Sequence, residues 1–301
     1  MAEWRNPEIA AMAALMASYA PPPGAPEPSW AERRMGFDAM GAAAPVPEGV
    51  TVSPITLGGV PAEQITPAGA DPTRTIFYLH GGGYCLGGMD SHRTMVAKMA
   101  LAAGATAFNV DYRLAPEHPF PAAVDDAVAA WRAFLAMGRD PGRTVIAGDS
   151  AGGGLSVACS VAARDAGLPL AAGLHLISPW ANMQNASPAY RAKADTDFLV
   201  TQQGIDDFKG AYLGQGDPKT PLASPVFANL AGLPPILIQV GSEEMLMSDS
   251  TQLAEAAGLA RVDVTLRIWP DMVHIWPFFA HLSAGGPAIA ESSAWIRARV
   301  A

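Results

Sequence analysis

The stretch Thr144-Val145-Ile146-Ala147-Gly148-Asp149-Ser150-Ala151-Gly152-Gly153-Gly154 decides the reading of this chain. A short β-branched and apolar run, suited to a buried strand, passes straight into Gly148-Asp149-Ser150-Ala151-Gly152. A helical segment, Ala151 to Ala166, follows at once. A chain that turns abruptly from strand to helix around one serine needs small neighbours on both sides, because a Cβ there would strike the approaching backbone. The hydroxyl is then held over a helix N-terminus, whose free N–H groups and dipole favour negative charge. G-x-S-x-G in this strand–turn–helix context marks Ser150 as a nucleophile. A glycine-rich phosphate loop or a tight packing turn is the bland alternative, and it would not require the partners found elsewhere in the chain.

Upstream, the run Arg74 to Leu79 ends in His80-Gly81-Gly82-Gly83-Tyr84. Successive glycines after a strand let backbone N–H groups approach an oxygen that side chains would otherwise block, and such donors stabilise the oxyanion of a tetrahedral intermediate. The expected donors are Gly82, Gly83 and Ala151. His80 is expected to order this loop, and Tyr84 to line the substrate pocket. Downstream, His274 in Asp271-Met272-Val273-His274-Ile275-Trp276-Pro277 follows the last apolar run, where the chain order serine, acid, histidine places the base. His92, His118, His175 and His281 have no such context and read as structural or surface residues. The acid should leave the run Ile236 to Val240, which continues into Gly241-Ser242-Glu243-Glu244-Met245-Leu246-Met247-Ser248-Asp249. A carboxylate there would hold the imidazole in one tautomer and stabilise its cation. Glu243, Glu244 and Asp249 all qualify chemically. Asp149 reads as a structural residue of the turn.

Further strand-like runs are Val52 to Leu57, Ala62 to Thr66, Thr106 to Val110, Leu174 to Ile177 and Val264 to Trp269, with helical segments at Arg93 to Ala103, Ala122 to Met137 and Ser248 to Ala257. This alternation predicts an α/β fold with a mostly parallel central sheet flanked by helices, its site at the carboxyl ends of the strands. Two helical patterns, Pro7 to Tyr19 and Ser29 to Met40, are separated by Pro21-Pro22-Pro23, which no helix could cross. With the long interruption between the later strands they are assigned to a lid. The expected division is residues 1–48 as N-terminal cap helices, 49–180 and 222–301 as the catalytic body, and 181–221 as a cap insertion. Ala194 to Tyr212, with the helix Pro7 to Tyr19, is expected to bound a shallow pocket.

Composition narrows the partner. The chain has 301 residues, a formal charge of −9, 50% hydrophobic and 16% charged residues, a globular profile without the basic face of a nucleic-acid binder or attraction to anionic membrane. A small molecule is expected. Cys85 and Cys159 suit two packed thiols in a reducing compartment, and nothing around them has metal-ligand spacing. The apolar start, Ile9 to Met16 followed by Ala17-Ser18-Tyr19-Ala20, has Glu3 and Glu8 where a secretion signal would be basic, so it reads as a helix of the mature protein. With no apolar run of about eighteen residues, the expected location is cytoplasmic.

Together these motifs resemble the hormone-sensitive-lipase-like branch of α/β hydrolases, the bacterial esterases marked by HGGG and GDSAGG. The resemblance runs from about Thr75 to the C-terminus and includes Asp111-Tyr112-Arg113-Leu114-Ala115-Pro116-Glu117 and Pro119-Phe120-Pro121-Ala122-Ala123. It implies an α/β-hydrolase fold with a two-part helical cap, hydrolysis of mainly short-chain carboxylic esters through an acyl-enzyme, no cofactor, and often a homodimer. In that family the acid stands two residues before a leucine, usually as Asp-x-Leu. That register implies Glu244 here, with glutamate as a departure from the usual residue. The same triad would also serve acyl transfer or amide hydrolysis. A dead hydrolase fold that only binds ligand, as in plant gibberellin receptors, would lack the histidine that His274 supplies. A lipase acting at oil surfaces would favour an exposed apolar lid, against which stands the charged stretch from Arg191 to Lys209.

Overall fold

A computed structural model describes residues 4–19 and 26–301. Glu3, Ala20 and the break at Pro21-Pro22-Pro23 lie outside the described residues. All eight strand-like runs form strands: β1 (Val50–Leu57), β2 (Val60–Pro67), β3 (Asp71–Leu79), β4 (Ala105–Val110), β5 (Thr144–Asp149), β6 (Gly173–Ile177), β7 (Ile236–Gly241) and β8 (Val264–Trp269). They make one sheet in the order β1-β2-β4-β3-β5-β6-β7-β8. β2 runs antiparallel to both β1 and β4, and every other pairing is parallel. Parallel strands must be joined by crossovers, and helices supply them.

The helices are α1 (Pro7–Ser18), α2 (Trp30–Gly41), α3 (Met89–Ala103), α4 (Ala122–Ala136), α5 (Ser150–Asp165), α6 (Pro188–Ala192), α7 (Gln202–Leu213), α8 (Met247–Leu259) and α9 (Gly285–Arg299). Asn6 caps α1 by accepting from the Glu8 N–H, and Ser29 with Glu32 forms a capping box on α2. Side chains of one strand alternate between two cores, as the period of two requires. Phe77 and Leu79 join Trp131, Phe134 and Leu155 on one face, while Ile76 and Tyr78 join Val96, Ile289 and Ile296 on the other. Helix α9 was not among the expected elements. Its buried positions Gly285, Ala288, Ile289, Ser292, Ser293 and Ile296 keep helical spacing, but all except Ile289 and Ile296 are small or polar, so the apolar stripe is faint.

Strand order reverses where β3 meets β5, because β4 lies to one side of β3 and β5, β6, β7 and β8 to the other. The carboxyl ends of strands at such a switch point leave a crevice between diverging connections. His80 to Tyr84 leaves β3 and Ser150 leaves β5 at this crevice. Among the described residues, no helix is long and apolar enough to cross a membrane.

Candidate active site

Ser150 occupies the junction of β5 and α5 with φ +51°, a left-handed conformation that costs on the order of 1–3 kcal/mol for a residue with a Cβ. Surrounding backbone enforces it. A Cβ on Gly152 would collide with the carbonyls of Leu79 and His80, and one on Gly148 would lie 2.6 Å from the Leu79 oxygen. The turn is therefore pressed against the end of β3, which carries the glycine loop.

Three side chains from separate strand ends meet in a line. Ser150 Oγ lies 2.9 Å from His274 Nε2, and His274 Nδ1 lies 2.7 Å from Glu244 Oε2. With the carboxylate at Nδ1, that nitrogen holds the proton and donates it, leaving Nε2 free to accept from the serine hydroxyl. Glu244 is itself held at its other oxygen, which accepts from Ser178 Oγ at 2.7 Å and from the Gly241 N–H at 2.6 Å. Ser178 also accepts the Ile275 N–H at 3.1 Å, so one hydroxyl ties the acid to the residue after the histidine. Nothing in the sequence singled Ser178 out beyond its place just after the run that forms β6; the structure holds it there at φ +48°. Burial disfavours the His274 cation. The Glu244 hydrogen bond and charge, assisted by Asp197 and Asp149, outweigh that and raise its pKa above the ordinary histidine value.

The other acidic candidates point elsewhere. Glu243 pairs with Lys193 at 3.0 Å and accepts from Ser242 Oγ. Asp249, fully buried, accepts the N–H groups of Ala181 and Asn182, anchoring the start of the insertion, and burial pushes its pKa up to about 7.

The Gly82 and Gly83 N–H groups meet no acceptor among the described residues, and Ala151 lies in the first turn of α5, whose N–H groups have no intrahelical partner. Gly82 has φ +112° and Gly83 φ +63°. A Cβ on Gly82 would strike the Leu86 carbonyl, and one on Gly83 the Phe208 ring, so both positions exclude side chains twice over. The loop rests on Asp149, which accepts the Gly81 N–H at 3.0 Å and the Tyr78 hydroxyl at 2.7 Å, with His92 Nε2 at 3.3 Å. Burial raises the Asp149 pKa, but the His92 charge and hydrogen bond, then Tyr78, more than reverse this and hold it below the usual carboxylate value. His80 is buried, stacks on Tyr112 at 4.1 Å, and sits 2.8 Å from the Gly81 carbonyl through Nδ1. Burial pushes its pKa down to about 3, so it is neutral and orders the loop. His92 and His175 are buried, His118 and His281 exposed.

Ser150, His274, Gly82 and Gly83 form the floor of a cavity of about 190 Å³. Its roof comes from Phe37 and Met40 of α2 and from Val200, Ile205 and Phe208 of the insertion. Two expectations change here. The roof helix from the N-terminal region is α2, not α1, whose Ile9 and Met12 pack into the core instead. Tyr84 does not line the cavity: at φ +62° its ring turns into the core and stacks on Tyr212 at 3.8 Å. No group of three or more His, Cys, Asp or Glu among the described residues is placed to hold a metal ion.

Known proteins carry the same arrangement of elements. The α/β-hydrolase-fold family profile matches residues 76–278. An acetyl-hydrolase of Streptomyces hygroscopicus is 45% identical over 244 residues, 81% of each chain. The carboxylesterase NlhH of Mycobacterium tuberculosis is 35% identical over 294 residues, 94% of this chain and 85% of that one. Among solved structures, an esterase from the bacterial hormone-sensitive lipase family superposes with a TM-score of 0.94 at 40% identity over the whole of both chains. An esterase/lipase from an uncultured bacterium gives 0.92 at 42% identity, covering 98% of this chain and 99% of the other. The chain belongs to the α/β-hydrolase family, in its hormone-sensitive-lipase-like branch of bacterial esterases, and is a hydrolase of carboxylic esters.

Proposed function

We propose that the protein hydrolyses short-chain carboxylic esters through a Ser150–His274–Glu244 triad and an acyl-enzyme. The observation that carries this reading is the line of hydrogen bonds from Ser150 Oγ to His274 to Glu244, at 2.9 and 2.7 Å, on the floor of the cavity. Ser150 Oγ attacks the ester carbonyl as His274 Nε2 removes its proton. The carbonyl oxygen, now negative, is stabilised by the N–H groups of Gly82, Gly83 and Ala151. His274 then protonates the leaving alcohol, and the acyl group stays on Ser150. Water repeats the attack with His274 again as base, releasing the acid and restoring the serine. Glu244 holds the imidazole tautomer and stabilises the cation formed in each half.

The short-chain preference follows from space. A cavity of about 190 Å³ with aromatic side chains in its roof supports a small acyl group over a long fatty chain. Phe37 and Phe208 contribute the aromatic part of its roof. An acyl-length series of p-nitrophenyl esters, run beside Ser150→Ala, tests both parts. Activity should peak between acetate and butyrate and vanish in the alanine variant. Activity rising steadily to long fatty acyl chains, or surviving in Ser150→Ala, would overturn the reading.

A further inference from the structure

The cap insertion is tied to the acid loop at two points that flank Glu244. Lys193 Nζ pairs with Glu243 on one side, and on the other Asp197 Oδ2 accepts the Met245 N–H at 2.9 Å. The second Asp197 oxygen accepts the N–H groups of Leu199 at 3.1 Å and Val200 at 2.9 Å, and both of these residues line the cavity. One carboxylate, 3% exposed, therefore holds a cavity wall and the backbone one residue beyond Glu244.

Burying a carboxylate is expensive unless its oxygens are satisfied, and three backbone donors satisfy this one. No ion pair reaches it among the described residues. The titratable groups that face it are His274 and Glu244 from the body and Tyr190 from the insertion. Burial pushes its pKa up to about 6, with His274 and the N–H donors pulling it back and Glu244 opposing them.

We propose that Asp197 is a positioning residue that couples closure of the cap over the acyl cavity to the alignment of Glu244 with His274, through its bridge from Met245 to Leu199 and Val200. This rests on the triad reading above. Its charge also stabilises the His274 imidazolium, so the reaction should register both the bridge and the charge. No atom of Asp197 need touch substrate.

The test compares the full-length wild type with Asp197→Asn on p-nitrophenyl acetate, following kcat and KM through the acidic limb of the pH profile, with a thermal melt to verify folding. The amide cannot accept three N–H donors and carries no charge. The expected result is a fall in kcat of ~10- to 10²-fold, the size seen when a supporting group is misplaced, with KM for acetate little changed and the acidic limb moved to lower pH. Asp197→Glu, which keeps the charge, should return the limb to its wild-type position. If the asparagine variant does not fold, Asp197→Ser carries the same readout, since it keeps an oxygen for Leu199 and Val200 but loses the bridge. Wild-type kcat and limb in a folded variant would overturn the proposal, as would a lower kcat with an unmoved limb, which packing loss alone would produce. Wild-type protein without ester hydrolysis would sink the triad reading and this inference with it, whereas an indifferent Asp197→Asn in an active enzyme sinks this inference alone.

Discussion

The floor and the roof of the cavity are built on different principles. The floor and the acid behind it are tightly constrained: Ser150 at φ +51° between glycines that touch other carbonyls, Gly82 and Gly83 where no side chain fits, and Glu244 with hydrogen bonds at both side-chain oxygens. The roof's side chains are held mainly by apolar contact, with the Asp197 carboxylate fixing only the backbone of Leu199 and Val200. Phe37 stacks on Phe278 at 5.4 Å and Phe208 lies against Trp30 at 5.7 Å, geometries that several apolar side chains could replace. The floor tolerates atomic displacement poorly and the roof tolerates it well. Changes to the floor should therefore appear in kcat, and changes to the roof in which ester is preferred.

The severest test of the floor is Ser150, the proposed nucleophile. Ser150→Ala should lower kcat by about 10⁶-fold, the scale known for removing a triad serine, while a phosphonate that labels the wild type leaves the variant unmodified by mass spectrometry. Next comes the acid. Glu244→Gln should cost about 10⁴-fold in kcat, because an amide neither stabilises the imidazolium nor selects its tautomer. Glu243→Gln, whose partner is Lys193, should stay within a few-fold of wild type. Steady-state kinetics on the pair decides the register, and an inactive Glu243→Gln would shift it by one residue. Gly82→Val should reduce kcat by ~10²- to 10³-fold with KM nearly constant, as expected when an oxyanion donor is displaced. A change confined to KM would make that loop a substrate-binding element.

The floor also sets the pH response. His274 must be neutral to take the serine proton, and its pKa is raised, so kcat/KM should fall as pH drops through a midpoint above the ordinary histidine value. Glu244→Gln should move what remains of that limb to lower pH. The smallest effect belongs to the roof. Phe208→Ala should leave kcat on acetate within a few-fold and shift the preferred acyl length upward, changing the hexanoate-to-acetate ratio by ~10-fold, the value of about one methylene's worth of pocket contact. An unchanged ratio would mean the acyl chain runs elsewhere.

Much of the floor was legible in the sequence because its chemistry is local. A strand, a sharp turn and a helix within eleven residues leave their mark as glycines around Ser150, and the glycines after His80 leave theirs for the same steric reason. The strands were legible too: β5, β6 and β7 are buried along their whole length, and buried parallel strands need continuous apolar runs, while the more exposed β1 and β8 show as short β-branched runs. What local sequence could not decide was which way adjacent groups turn. Glu243 and Glu244 have the same chemistry, and only Ser178 and Gly241 on one side and Lys193 on the other separate them. Tyr84 sits within a recognisable loop, yet its ring goes to Tyr212, 128 residues along the chain. Two N-terminal helices of similar texture differ in role because α1 packs into the core while α2 places Phe37 and Met40 over the cavity. The sequence by itself determined the strand–turn–helix around Ser150, the glycine loop after His80 and the sheet beneath them, because bond geometry and steric exclusion act within a few residues. The tertiary structure alone decided which acid faces His274 and which helix closes the cavity, because those choices rest on hydrogen bonds and packing between segments far apart in the chain.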